Sequence, residues 1–374
     1  MKIIGIDVHS YAVGYVHGTY VMSGGRAATH EDGTLVRLRT DEGLDGWGEV
    51  TTLGRTYLPT SPGTIRAGLA ELAPSLLGLD PTRPSLVNRV MDATLLGQPY
   101  AKSAVDIACW DLAGRALDRP VADLLGGVLT ERWPLYEAVP LGAPAAMAEF
   151  VQGRRAAGIE RFQLKVGNEP RTDVARTRAC VGAGGESTVV VADANGGWDL
   201  ASARVAVHGM ADLPVFVEQP CRTTADSALA HRGSPLPLVL DESVSTLADL
   251  WAAKQDAGAV SVNLKISRVG GLTRTALLRD AMQELGLRVS LEDMWGGDVI
   301  TAAVSQLAAS TRPESLFMTS FFNDWTDGHV AGYQPRSVDG FGSLPDGPGL
   351  GVTVDTARLG APMLTVGVRA GSDA

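Results

Sequence analysis

Three carboxylates and two lysines recur at regular intervals in the second half of this chain. They are Lys165, Asp193, Glu218, Asp241 and Lys265, separated by 28, 25, 23 and 24 residues. Each of them ends or follows a short apolar run: FQLK, VVVAD, VFVE, LVLD or SVNLK. Carboxylate oxygens are the ligands that a hard cation such as Mg²⁺ prefers. A lysine serves as a base near neutral pH when desolvation or nearby positive charge lowers its pKa. The pattern therefore predicts metal-assisted proton abstraction.

The same spacing predicts the elements that position these residues. A step of about 25 residues fits one strand, one helix and two loops of a parallel barrel. In such barrels the C-terminal ends of the strands line the active-site mouth. Lys165 and Lys265 would end strands 2 and 6, which lie opposite each other when eight strands close. The three carboxylates would end strands 3, 4 and 5, so that a substrate on the metal lies between the two lysines.

Each of these residues has a simpler explanation when it is considered alone. An Asp or Glu after a strand commonly caps the following helix. A single lysine usually lies along the surface with its ammonium group in water. The chemical interpretation depends on all five residues occurring in register. Trp295, within EDMWGGD, is compatible with packing beneath a loop as well as with contact to a substrate.

The composition limits the class of protein. With 374 residues, of which 45% are hydrophobic and 20% charged, the chain is typical of soluble globular proteins. The net charge of -10 argues against nucleic acid as a partner. Three scattered cysteines, no signal-peptide pattern and no apolar run of about 20 residues favour a reducing cytoplasm and no membrane partner. We expect a cytoplasmic homo-oligomer that acts on a small carboxylate substrate.

The hydrophobic pattern divides the chain into two units of different type. Residues 34–50 alternate like a β-hairpin, and the stretches 61–78 and 100–118 follow a helical pattern. From about residue 132, strands and helices alternate, as in a parallel α/β barrel. We predict an α/β protein with an α+β capping domain (1–128), a barrel (129–340) and a C-terminal segment that returns to the cap (341–374).

Several motifs together resemble the enolase superfamily, specifically its muconate-lactonizing-enzyme-like subgroup. They cover nearly all of the chain and comprise DGWGE (45–49), YAKSAVDIACWDLAGR (100–115), QLKVG, DANGGW, VEQP, LDES, KISRVGGLT and PDGPGLG. The resemblance implies an α+β cap on a modified (β/α)₇β barrel. It also implies bound Mg²⁺ and abstraction of the α-proton of a carboxylate substrate through an enediolate intermediate.

The resemblance also assigns roles to individual residues. Asp193, Glu218 and Asp241 match the metal ligands of the family, and Lys165 and Lys265 match its acid/base pair. One position departs from the pattern, because Gln163 stands where the subgroup often has the first lysine of a Lys-x-Lys motif. That lysine is auxiliary to the catalytic one. We therefore expect the substitution to change the tuning of the base without removing it.

Two further segments point to a substrate class. EDMWGGD (292–298) and SGGR (23–26) resemble the branch of the family that acts on proline-type substrates. It includes dehydratases of cis-3-hydroxy-L-proline and epimerases of proline betaines. Glu292 and Asp293 would attract a substrate amine, and Trp295 would offer a cation–π face. Ser23 and Tyr57 are expected in a lid that is mobile without substrate and closes over the mouth.

The expected reaction is dehydration of cis-3-hydroxy-L-proline, with epimerisation of a proline betaine as the alternative. An acid-sugar dehydratase of the same superfamily would use histidines at the barrel mouth, and no histidine falls on the predicted strand ends. A non-catalytic relative would have lost some of the five residues that carry the chemistry. Both of these other classes are therefore disfavoured by the sequence.

Overall fold

The chain alternates between short strands and amphipathic helices. The computed structural model describes residues 1–367. The strands are β1 Ile3–Gly14, β2 Tyr20–Val21, β3 Ala27–Ala28, β4 His30–Thr40, β5 Asp45–Val50, β6 Arg132–Pro134, β7 Tyr136–Val139, β8 Arg161–Lys165, β9 Val189–Asp193, β10 Val215–Glu218, β11 Leu238–Leu240, β12 Ser261–Lys265, β13 Arg288–Glu292, β14 Leu316–Thr319, β15 Phe341–Ser343 and β16 Leu364–Gly367. The helices are α1 Pro62–Leu76, α2 Pro84–Thr94, α3 Pro99–Leu117, α4 Val121–Leu124, α5 Pro144–Ala156, α6 Pro170–Gly184, α7 Leu200–Gly209, α8 Thr224–His231, α9 Leu247–Gln255, α10 Ile266–Val269, α11 Leu272–Glu284 and α12 Asp298–Ala309. Within residues 1–367, none of the helices has the length and apolarity needed to cross a membrane.

The N-terminal unit is an antiparallel sheet covered by helices. Its four strands pair in the order β16, β1, β4 and β5, so the last described strand returns to the first. Helix α3 packs directly on β5 because two glycines of the DGWGE motif leave room for it. A Cβ atom on Gly46 would lie 2.3 Å from the Ala108 carbonyl oxygen, and one on Gly48 would lie 1.9 Å from that of Ala104. The hairpin and the helices α1 and α3 were predicted from sequence, whereas β1 and α2 were not.

The second unit is an eight-stranded parallel sheet that curls into a barrel with helices outside. The strands pair in chain order from β7 to β14. Register places Lys165 beside Asp193, Asp193 beside Glu218, and Lys265 beside Glu292. Side chains alternate between the inside and the outside of a barrel. The register therefore gathers these residues at one end, and the predicted fold class is confirmed.

The opposite end of the barrel is filled. The rings of Phe216 on β10 and Phe317 on β14 lie 4.6 Å apart between their centroids, and Arg161 donates a hydrogen bond to the Phe317 carbonyl. At about residue 132, where the sequence predicts the first barrel strand, the chain forms two strands, because β6 pairs with β15 instead of joining the barrel. Because side chains fill the N-terminal end of the barrel, a binding site can form only at the C-terminal ends of the strands. The domain boundaries given above remain predictions.

Candidate active site

A small cavity at the C-terminal end of the barrel contains both lysines. Its volume is about 10 Å³, room for about one water molecule. Barrel residues form its floor, and residues of the N-terminal unit form part of its roof. It is lined by Tyr20, Met22, Leu53, Tyr57, Tyr136, Gln163, Lys165, Lys265, Glu292, Asp293, Met294, Trp295, Phe322 and Trp325. The structure therefore brings together the two lysines with four of the five residues predicted to bind substrate.

Lys165 is held by a carboxylate and a neutral amide. Its Nζ donates to Asp193 Oδ2 at 2.5 Å and to Gln163 Oε1 at 2.7 Å, and Gln163 Nε2 donates to Glu218 Oε2 at 3.0 Å. Burial alone would lower the pKa of Lys165, as expected for a base, but the negative charges of Asp193 and Glu218 outweigh it, so the pKa is raised and not lowered. Gln163 thus links the lysine to a second carboxylate without adding charge.

Lys265 lies on the other side of the cavity, four strands away. Its Nζ is 2.7 Å from Asp241 Oδ2, 2.9 Å from the Tyr57 hydroxyl and 3.2 Å from Glu292 Oε1. Asp241 also forms an ion pair with Arg268, at 2.7 Å between Oδ1 and Nη1. Burial would raise the pKa of Asp241, but these two cations hold it below its usual range. This carboxylate therefore stays ionised although it is fully buried.

The three predicted metal ligands are buried neighbours. The pKa of Glu218 is well above its usual range, chiefly because of burial and then because of the charges on Asp193 and Asp241. Within residues 1–367, however, no three acidic, histidine or cysteine side chains are already arranged around a common metal position. In this structure the ammonium groups of Lys165 and Lys265 form ion pairs with Asp193 and Asp241, and the convergence of the three carboxylates on one ion remains a prediction.

Two further residues, Glu242 and Asn195, bring oxygen atoms to this site and were not predicted from the sequence. Glu242 Oε1 accepts hydrogen bonds from the Tyr57 hydroxyl at 2.6 Å and from Asn195 Nδ2 at 2.9 Å. Asn195 also donates twice to Asp193, at 2.8 Å each. Glu242 Oε2 and Asn195 Oδ1 are buried and have no hydrogen-bond partner among the described residues. Both residues lie within two positions of a predicted metal ligand. A search for polar side chains in the loop after each strand, and not only at the strand end, would have identified them.

The unpartnered oxygens bear on whether a divalent cation fits here. The donor set beside Asp193 and Asp241 consists of oxygen atoms, which suits Mg²⁺. Burying oxygens that accept no hydrogen bond is unfavourable unless another positive or polar group meets them. The mutual repulsion seen at Glu218 adds a second reason for a cation among these carboxylates. The residues present therefore fit such an ion.

The predicted lid lies over the barrel mouth. Ser23–Gly25 forms a 3₁₀ turn in which Ser23 Oγ donates to the Ala194 carbonyl at 3.1 Å and Gly24 N donates to Asn168 Oδ1 at 2.9 Å. Ser23 lines an outer pocket and not the cavity that holds the lysines, and its contact with substrate remains a prediction. Tyr57 lines both spaces and separates them. The mobility of the lid remains a prediction.

The loop after β13 forms one wall of the cavity. Asp293 accepts hydrogen bonds from the Ser267 hydroxyl and from Ser267 N, the latter at 3.3 Å, and burial raises the pKa of Asp293 to about 6. The pKa of Glu292 is also well above its usual range, through burial and the neighbouring Asp293. Glu292 accepts a further hydrogen bond from Asn263. These two carboxylates therefore belong to the wall on the Lys265 side.

Trp295 both packs beneath a loop and lines the cavity. It is 1% exposed, and its ring lies 5.1 Å from that of Tyr20 and 5.4 Å from that of Tyr15. Its indole Nε1 is buried and has no hydrogen-bond partner in the part of the chain that the structure describes. A buried indole N–H normally finds an acceptor. The two interpretations left open by the sequence are thus compatible.

The family comparisons agree with this geometry. Residues 146–358 match the family described as "Enolase C-terminal domain-like", and residues 17–126 match "Mandelate racemase / muconate lactonizing enzyme, N-terminal domain". The chain belongs to the mandelate racemase/muconate lactonizing enzyme family of the enolase superfamily. It is therefore an enzyme, as the sequence predicted.

Individual relatives are similar over most of their length. The chain is 41% identical to a cis-3-hydroxy-L-proline dehydratase of Roseibium aggregatum, over 97% of this chain and 99% of the relative. It is 29% identical to an N-succinyl-L-Arg/Lys racemase of Bacillus cereus, over 83% and 85% of the two chains. A crystal structure from Roseovarius nubinhibens, described as a mandelate racemase/muconate lactonizing enzyme complexed with magnesium, has a TM-score of 0.93 and 34% identity. It covers 98% of this chain and 100% of its own.

Proposed function

We propose that this enzyme dehydrates cis-3-hydroxy-L-proline by removing its α-proton and its 3-hydroxyl group. The observation that carries the proposal is the pair of lysines, Lys165 on β8 and Lys265 on β12, which line one cavity. The strands are four apart in an eight-stranded barrel, so the ammonium groups approach the cavity from opposite sides. The 41% identity to a dehydratase of this substrate supports the choice of reaction.

The stereochemistry of the substrate suits two opposed groups. In cis-3-hydroxy-L-proline the hydroxyl is on the same face as the carboxylate and therefore opposite the Cα hydrogen. One lysine, unprotonated, takes the α-proton while the other donates a proton to the departing hydroxyl, which leaves as water. The enamine product tautomerises to a cyclic imine. The trans isomer presents hydrogen and hydroxyl on one face, so the two lysines cannot act on both.

We propose that Asp193, Glu218 and Asp241 hold Mg²⁺. When bound, the ion would stabilise the negative charge that develops on the substrate carboxylate as the α-proton leaves. Asn195 and Arg268 position two of these carboxylates through the contacts described above. Gln163 ties Lys165 to Glu218 and so fixes the ammonium group on the inner face of the barrel.

The remaining wall is suited to a ring amine. Asp293 and Glu292 lie on the Lys265 side of the cavity, and an ionised carboxylate there would attract a substrate ammonium. Tyr20, Tyr136 and Trp295 supply apolar ring surface to the same cavity. A small cationic ring therefore meets both charge and aromatic contact. We assign Tyr57 to closing the cavity, because its hydroxyl bridges Lys265 and Glu242.

Epimerisation of a proline betaine is the second candidate. It needs the same two lysines, one to remove the α-proton and one to return a proton from the opposite face. The similarity of this chain to a racemase of the same family supports epimerisation as the alternative reaction. The two reactions differ only in whether C3 carries a leaving hydroxyl.

Comparison of the two hydroxyproline isomers tests the proposal. Enzyme with MgCl₂ should convert cis-3-hydroxy-L-proline to the cyclic imine, and trans-3-hydroxy-L-proline should react at least about a hundredfold more slowly, as expected when one general acid–base step is lost. The same preparation treated with excess EDTA is the metal control. Equal rates for the two isomers would contradict the opposed-lysine mechanism.

A further inference from the structure

The buried carboxylate of Glu49, the last residue of the DGWGE motif, joins the N-terminal unit to the barrel. It lies at the start of helix α12, where Oε1 accepts from Gly297 N at 2.6 Å. Oε2 accepts from Val299 N at 3.0 Å and from Ile300 N at 2.9 Å. The hydroxyl of Tyr11 on β1 donates to the same group. One side chain of the capping domain thus accepts hydrogen bonds from three backbone N–H groups at the start of α12. Such groups have no acceptor within their own helix.

Two glycines make this contact possible. A Cβ atom on Gly296 would lie 2.0 Å from Ile300 Cγ2 and 3.3 Å from Glu49 Oε1. One on Gly297 would lie 2.7 Å from the Tyr11 hydroxyl. The glycine pair of the MWGGD segment is therefore required where the cap side chains approach the barrel helix. Neither the DGWGE motif nor this glycine pair takes part in the chemistry proposed above.

The amides that Glu49 holds directly follow a cavity wall. Residues 293–297 connect β13 to α12, and Asp293, Met294 and Trp295 within this loop line the cavity. Trp295 also packs against Tyr20 and Tyr15, which belong to the cap. The Trp295 end of this wall is thus set by the capping domain as well as by the barrel, whereas the Asp293 end is held by Ser267 of the barrel unit.

A second buried carboxylate of the capping domain contacts the start of helix α11, but this helix does not line the cavity. Asp106 on α3 is also a fully buried cap carboxylate, and it accepts from Thr273 N at 2.9 Å and from Thr273 Oγ1 at 2.6 Å at the start of α11. No residue of α11, all of which the structure describes, lines the cavity. Asp106 is therefore a matched control that loses a cap-to-barrel contact without touching the wall.

We propose that Glu49 is a positioning residue that sets the location of the Asp293–Trp295 wall and thereby the affinity for substrate. This proposal rests on the proposed function for its substrate only. The carboxylate is the fixed point, because it anchors the first turn of α12 two residues after Trp295. Without that anchor the wall is held by the hydrogen bonds between Asp293 and Ser267 at one end and by the aromatic contacts of the indole ring, but the backbone that follows Trp295 is no longer fixed.

Hydrogen exchange and steady-state kinetics on Glu49→Gln, compared with Asp106→Asn, test this role. The glutamine keeps the shape but turns an NH₂ group toward backbone donors. We expect faster amide exchange over residues 293–300 in Glu49→Gln and unchanged exchange there in Asp106→Asn. With cis-3-hydroxy-L-proline, KM should rise about tenfold while kcat changes less than about threefold, the sign of lost uniform binding. Asp106→Asn should leave KM within about threefold of wild type.

Several outcomes would overturn the proposal. Unchanged amide exchange over residues 293–300 in Glu49→Gln would show that Glu49 does not anchor this segment. Equal rises in KM for both variants would show that Glu49 contributes only to the overall stability of the protein. Tyr11→Phe, which keeps the carboxylate and removes one of its donors, replaces Glu49→Gln if that variant does not fold, and should show the same pattern to a smaller degree. The exchange measurement needs no substrate. It therefore decides the anchoring role even if wild-type enzyme fails to dehydrate hydroxyproline.

Discussion

Replacing Lys165 with methionine separates the proton-transfer role of this lysine from its structural one. The variant removes an ammonium group that lies 2.5 Å from Asp193 Oδ2 and keeps an unbranched apolar side chain in its place. Loss of a general acid–base group typically lowers turnover by about 10²–10⁴. We expect a fall of that size in kcat for the dehydration.

The same change leaves a buried charge without its cation. Asp193 is fully buried, and removing one partner of a buried ion pair costs about 3–5 kcal/mol. Asn195 still donates two hydrogen bonds of 2.8 Å to that carboxylate, so we expect a value near the lower limit, about 3 kcal/mol. Because Mg²⁺ would neutralise Asp193, the loss of stability should be smaller when the ion is present.

The assay is unfolding followed by tryptophan fluorescence, once in EDTA and once in excess MgCl₂, together with calorimetric titration of Mg²⁺. Lys165→Met should bind Mg²⁺ at least as tightly as wild type, since a competing cation has been removed. Lys254→Met, on the outer helix α9, is the control and should leave all three measurements unchanged. Equal destabilisation with and without Mg²⁺, or retention of more than about a tenth of the activity, would refute the reasoning.

Three other changes test the remaining parts of the site. Asp241→Asn should abolish turnover and calorimetric binding of Mg²⁺ while far-ultraviolet circular dichroism stays that of wild type; normal Mg²⁺ affinity would exclude this ligand. Trp295→Phe removes a buried indole N–H that has no hydrogen-bond partner within residues 1–367, so the loss of stability should come from the cavity left in the core, about 1–2 kcal/mol, while KM rises; an unchanged KM would argue against contact with substrate. Because burial raises the pKa of Asp293 to about 6, its carboxylate is charged above that pH and neutral below it. KM for a cationic substrate should therefore increase as the pH falls below about 6, and Asp293→Asn should remove this dependence, which a measured pH profile of KM will show.

The positions of the site residues followed from the sequence because strand ends repeat with a fixed step. Register then placed Lys165 beside Asp193 and Asp193 beside Glu218, as the spacing required. The hydrogen-bond and ion-pair partners of each side chain could not be predicted from the sequence, because they depend on rotamers and on the loops beyond each strand. Glu242 and Asn195 were missed for this reason.

Two elements of the cap were missed because their local signals are weak. The sequence of β1, IIGIDVHSYAVG, places apolar residues at both odd and even positions, so it shows no clean alternation. Helix α2 begins at Pro84 without a side-chain hydrogen bond at its N-cap. The role of Glu49 was equally hidden, because its donors lie about 250 residues away in the sequence. Tertiary contacts decide all three.

Proton NMR of the enzyme with Mg²⁺ in D₂O, with cis-3-hydroxy-L-proline in one tube and a proline betaine in another, distinguishes dehydration from epimerisation. We expect loss of the Cα–H signal of the hydroxyproline together with the appearance of the cyclic imine in equal amount. We expect no comparable exchange at Cα of the betaine. Exchange of the betaine Cα–H without any dehydration of the hydroxyproline would contradict the dehydratase assignment and favour an epimerase.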